Sequence, residues 1–137
     1  MADYCLGRLI DHVHLRVADL EASRRFYGAV LGALGRRITY EDVKCFESDE
    51  LFVEASEGSF SKIHHAFQAD DEKTVRRFHD AGLAAGGRNH GAPGKRSYHP
   101  RYFSAFLLDP DGNNIEAVWH GPTVRSTVSI RVERTEN

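Results

Sequence analysis

Apolar residues alternate with polar ones at Val13, Leu15 and Val17, the period of a strand with one buried face. His65, Phe67 and Ala69 repeat the pattern further along. Each stretch leads into an acidic or polar start, Asp19 in one case and Asp70-Asp71 in the other, and then into helical spacing. The first helix places Leu20, Ser23, Phe26, Tyr27, Val30, Leu31 and Leu34 on one face and ends at Gly32 and Gly35; the second places Val75, Phe78, His79 and Leu83 and ends at Gly86-Gly87. Short strands are predicted at 37–40, 43–47 and 51–56 after the first helix. After the second, 89–101 is rich in Gly, Pro and aromatic residues and reads as a long loop, followed by strands at 102–108 and 114–119. Between those two, Asp109-Pro110-Asp111-Gly112 is a hairpin signal, because Pro fixes φ and Gly accepts a positive φ. The tail at 127–133 alternates like one further strand.

The two halves are copies of one unit. Shifting the chain by 52 residues lays Arg24-Arg25-Phe26 on Arg76-Arg77-Phe78, Asp19 on Asp71, Gly35 on Gly87 and His12 on His64, with 10 identities over the 25 positions 12–36. The predicted fold is α+β: two tandem βαβββ modules, 9–56 and 62–120, in a single domain spanning 1–137, with a C-terminal extension at 121–137.

The repeat also pairs polar residues. His12 and His64 lie on the strand face opposite the apolar one. In the last strand of each module, Glu54 stands between Val53 and Ala55 and Glu116 between Ile115 and Ala117, so both carboxylates point away from the core. Two imidazoles and two carboxylates suit Fe(II), Ni(II), Co(II), Mn(II) or Zn(II). Such an ion, with positions left open, polarises a substrate oxygen and acidifies a neighbouring proton, and a carboxylate serves as base. The plainer reading, in which the repeat preserves structural histidines and solvated glutamates, stands beside this one. His14 shares a face with His12 and lines the same side; Tyr98, His99 and Tyr102 put phenol and imidazole groups on the loop, to orient a substrate or to pack that loop. His79 and His90 read as surface residues.

Composition then narrows the classes. With 18 Lys+Arg against 20 Asp+Glu there is no basic surplus for nucleic acid, and the apolar runs are far short of a membrane span. The N-terminus shows no basic segment followed by an apolar one, and a cytoplasmic protein is expected. Cys5 and Cys45 allow at most one disulfide, lack a CxxC partner and are expected to be reduced.

Four segments together resemble the vicinal oxygen chelate superfamily, which includes glyoxalase I, fosfomycin-resistance proteins, extradiol dioxygenases and bleomycin-resistance proteins. They are Ile10-Asp11-His12-Val13-His14-Leu15-Arg16-Val17, the Arg25-Phe26-Tyr27…Leu31-Gly32 helix end, Ile63-His64-His65-Ala66-Phe67, and Leu108-Asp109-Pro110-Asp111-Gly112-Asn113-Asn114-Ile115-Glu116. The resemblance implies a curved mixed sheet (half-barrel) with helices outside and a divalent metal on its open side, held by His12, His64 and Glu116. Glu54 matches the fourth ligand of glyoxalase I, and Arg16 its glutathione-contacting arginine. The family's asparagine beyond that ligand and its lysine-containing loop are replaced by Ser56-Glu57 and by Ser97-Tyr98-His99-Pro100-Arg101-Tyr102-Phe103. The function implied is a glyoxalase-like lyase or isomerase on a small substrate chelated through adjacent oxygens, with Glu54 or Glu116 as general base. A ring-cleaving dioxygenase with three protein ligands, or a metal-free antibiotic-binding protein, is the alternative. A homodimer, with ligands drawn from one chain or from two, completes the expectation.

Overall fold

The computed structural model describes residue 7 and residues 9–136. The first module runs β1 (Val13–Val17), α1 (Leu20–Ala33), β2 (Tyr40–Glu41), β3 (Cys45–Ser48) and β4 (Leu51–Ala55). The second runs β5 (His64–Gln68), α2 (Glu72–Ala84), β6 (Arg88–Lys95), β7 (Phe103–Leu108) and β8 (Asn114–Trp119). Each module makes its own four-stranded mixed sheet, in the orders β1-β4-β3-β2 and β5-β8-β7-β6, with the first strand parallel to the last. The two sheets do not close on each other.

Both helices start where the aspartates stand. Asp19 accepts from the Ala22 amide and Asp71 from the Thr74 amide, each satisfying an amide that the first helical turn leaves without a partner. The helices pack on each other, and one core runs through both modules, with Leu15, Val17, Phe26, Tyr27 and Val53 from the first and Val75, Phe78, Ala105, Leu107, Ile115 and Ala117 from the second. Gly82 sits at this contact: a Cβ there would lie 2.2 Å from Leu107 Cδ1 and 3.0 Å from Val30 Cγ1. Leu83, expected on the packed face, is exposed instead.

Several expectations change. The loop predicted at 89–101 is strand β6 as far as Lys95. Its pairing with β7 shifts register between Asn89 and Gly91 and again between Gly91 and Gly94, so the sequence carries no clean alternation. Gly91, at φ 156°, lets Phe106 approach to 2.9 Å of where a Cβ would be. The strand predicted at 37–40 shrinks to Tyr40–Glu41. The tail at 127–133 forms no strand: Val128, Ile130 and Val132 alternate but stay exposed, since a strand needs a neighbouring edge as well as a face. His79 is buried and shares a hydrogen bond with Asn89 Oδ1 at 2.9 Å. Cys45 is a buried free thiol; Cys5 lies outside the described residues. Among the described residues no helix is long and apolar enough to cross a membrane.

Candidate functional site

In the second module, the odd-numbered residues of β7 and β8 enter the core, so the even-numbered ones face the open side of the sheet. Glu116 stands opposite Ala66 of β5 and Phe106 of β7. His64, two residues before Ala66, reaches Glu116: Nε2 lies 2.8 Å from Oε1. The other carboxylate oxygen accepts from the Tyr102 hydroxyl at 2.6 Å. The Glu116 side chain is only 2% exposed, whereas His64 is half open to solvent. A buried carboxylate thus has a firm partner on one oxygen and a half-exposed imidazole on the other.

Tyr102 is itself fixed. Its amide donates to the His99 carbonyl, its own carbonyl accepts from the Arg96 amide, and its ring meets the edges of Tyr98, His99 and His120 at 4.8, 5.3 and 5.1 Å. Burial first, and then the Glu116 hydrogen bond, raise its pKa well above that of an ordinary phenol. His99 Nδ1 accepts from the Arg101 amide, so its proton sits on Nε2, which donates to His120 Nδ1 at 2.8 Å. Burial and the neighbouring His99 lower the pKa of His120. Tyr98 is exposed at the rim.

The first module is not a copy of this arrangement. Counted from the helix caps, Asp19 and Asp71, the partner of Ala66 is His14, and opposite His14 stands Phe52. Glu54 lies one pleat further along, opposite Arg16. Glu54 and Glu116 therefore do not occupy matching places, which corrects the equivalence expected from the sequence. The slip pairs Glu54 with His14, Nε2 to Oε1 at 3.2 Å, and His14 packs edge-on against Phe52. His12 lies outside β1, 60% exposed, with Nδ1 2.7 Å from Asp11 Oδ1. Arg16 is exposed, and its backbone exchanges hydrogen bonds with Ser61. Within one chain the two histidine–glutamate pairs stay apart: among the described residues no three His, Cys, Asp or Glu side chains converge as a metal site.

Sequence reasoning singled out Tyr102 but not its contact with Glu116, because the irregular segment before β7 gives no period from which a facing could be read. His65 was read only as an apolar strand position. It is a largely buried imidazole, stacked on Tyr27 and edge-on to Phe67, with Nε2 unpartnered. Desolvation lowers its pKa from 6.5 to about 4.

A protein described as a glyoxalase/bleomycin resistance protein from Albidiferax ferrireducens T118 is 30% identical, with a TM-score of 0.68 over 81% of this chain and 98% of that one. A lactoylglutathione lyase from Agrobacterium tumefaciens (18% identity, TM-score 0.60, 82% and 93% covered) shares the fold. So does an oxidase, ChaP-H2 (20% identity, TM-score 0.59, 90% and 98% covered). No curated protein matches the sequence. The family model of the Glyoxalase/Bleomycin resistance protein/Dioxygenase superfamily matches residues 9–117, and with the paired βαβββ modules this assigns the chain to that superfamily.

Proposed function

We propose that the protein is a divalent-metal-dependent enzyme of glyoxalase type, a lyase or isomerase acting on a small substrate through two adjacent oxygens. The observation that carries this reading is the His64–Glu116 pair. Its nitrogen and oxygen are 2.8 Å apart, near the roughly 3 Å that separates neighbouring ligands when metal–ligand bonds are about 2.1 Å. Tyr102 supplies the hydrogen-bonded support that a ligating carboxylate needs. His12, the cap-counted counterpart of His64, is the third proposed ligand.

A bound Ni, Zn, Fe, Mn or Co ion would supply Lewis acidity toward the substrate oxygens. Glu54, displaced by one pleat and 41% exposed, is free to take up a proton, with His14 beside it to receive or steady the charge. Arg16, opposite Glu54, and Tyr98 and His99 across the open face orient the substrate. Because the two pairs do not converge within a chain, a homodimer that brings β1 of one subunit to β5 of its partner would complete the site. The outer edge of β5 supports this: among the described residues no backbone group pairs with it.

A second reading, a ring-cleaving dioxygenase, is favoured by Phe52, which stands where a fourth ligand would mirror Glu116. Metal analysis of the purified dimer, followed by assays with aldehyde–thiol adducts and with catechols under oxygen, separates the two. Turnover of the adducts with Ni or Zn supports the lyase. Oxygen uptake with a catechol and Fe(II) replaces it by the dioxygenase, and failure of the protein to bind any divalent ion sinks both.

A further inference from the structure

The geometry points to Tyr102 as a positioning residue that makes Glu116 a one-oxygen ligand. This inference rests on the metal reading above and deepens it. A carboxylate offers two oxygens, and free in a cleft it can bind an ion through one, bridge it through both, or swing away. At Glu116 that freedom is removed. Oε2 accepts the Tyr102 hydroxyl at 2.6 Å, a short charge-assisted bond, while Oε1 points to His64. The phenol cannot follow a moving carboxylate, since Tyr102 is held by backbone hydrogen bonds on both sides and its ring is caged by Tyr98, His99 and His120. Nor does Arg96 compete for Glu116: its guanidinium is committed to the Ala92 carbonyl and to Ser104, over the Phe106 ring.

Two consequences follow. With Oε2 held at the Tyr102 hydroxyl and Oε1 turned toward His64, an ion held by His64 would meet Glu116 through Oε1, which would leave room beside it for the second oxygen of a chelating substrate. Glu116 also stays seated through turnover, which leaves proton transfer to the unclamped Glu54. The first module is built differently: the position matching Glu116 there is Phe52, and Glu54 faces the His14 imidazole, with no phenol hydrogen-bonded to it among the described residues.

The test uses Co(II) as the probe on wild-type protein and on Tyr102→Phe, which keeps the ring and removes the hydroxyl. Wild-type protein labelled with 13C-glutamate is expected to show, in the difference between its Co(II)-bound and metal-free spectra, well-separated carboxylate stretching bands, the signature of one-oxygen binding. In Tyr102→Phe those bands should draw together, the visible Co(II) absorption should weaken as the coordination number rises, and affinity should fall about ten- to a hundred-fold. Its KM should rise more than its kcat falls, because the position needed by the substrate is now contested. Closely spaced bands in the wild type overturn the inference without any variant. Unchanged bands and absorption in a folded Tyr102→Phe overturn it too, while leaving the metal reading in place. No Co(II) bound by the wild type removes both.

Discussion

The Tyr27 hydroxyl on α1 donates to Asp109 at the far end of the other module, 2.6 Å away and out of contact with solvent. Asp109 opens the turn between β7 and β8 and also accepts from the amides of Asp111 and Asn113 and from the Asn113 side chain. Two residues on, Asp111 accepts from the Ala18 amide, just before α1. The turn between the last two strands of one module is therefore the clasp that holds the other. Tyr27→Phe should keep the fold but cost about 2 kcal/mol in chemical denaturation, the usual loss for a buried hydrogen bond to a charged group. An unchanged midpoint would show that the modules are joined by apolar packing alone.

The helix contact tolerates no added atom at Gly82. Its backbone is helical, so the cost of Gly82→Ala is steric and should outweigh the gain in helix propensity, giving a net loss of about 1–3 kcal/mol. Thermal unfolding measures it. A more stable variant would mean that Leu107 and Val30 move aside freely.

His65 makes stability depend on pH. Its folded pKa of about 4 lies below the 6.5 of the free side chain, so between these values the unfolded chain binds more protons. Its contribution is fully present above pH 6.5 and is lost as pH falls toward 4, by roughly 3 kcal/mol at most. His65→Phe, which keeps the ring against Tyr27 and Phe67, should flatten that part of the profile in urea titrations at stepped pH. An identical slope in the variant would assign the effect to other groups.

On the proposed reading, the one-pleat slip would give the two glutamates different tasks. Glu116→Gln and His64→Ala should abolish stoichiometric metal, whereas Glu54→Gln should retain it and lose turnover. Elemental analysis of the three dialysed variants decides; loss of metal from Glu54→Gln would restore a four-ligand site.

Much of this was legible in the chain, for physical reasons that also mark its limits. The helices followed from periodic apolar residues and aspartate caps, and β8 from alternation between a turn and Trp119. β6 escaped because bulges at Gly91 and Gly94 erase the period on which such a reading depends. The carboxylates were placed on the correct face, since the apolar neighbours Val53, Ile115 and Ala117 fix it. Their equivalence was not, because register along a parallel pair is set by connections of unequal length and leaves no mark at the glutamates themselves. Tyr102 marks the same limit: its contact with Glu116 crosses from a loop to a strand 14 residues away.

The slip between the modules also bears on which way round a molecule can lie. Two identical halves related by a twofold axis would offer the same groups to both ends of a bound molecule and would not tell one orientation from its reverse. Here one side ends in a dry, fixed carboxylate and the other in a partly exposed one beside a histidine. A substrate held between such sides would meet a different partner at each end, so its two ends should react at unequal rates. That selectivity would come from the register of one strand pair rather than from any residue added to the repeat.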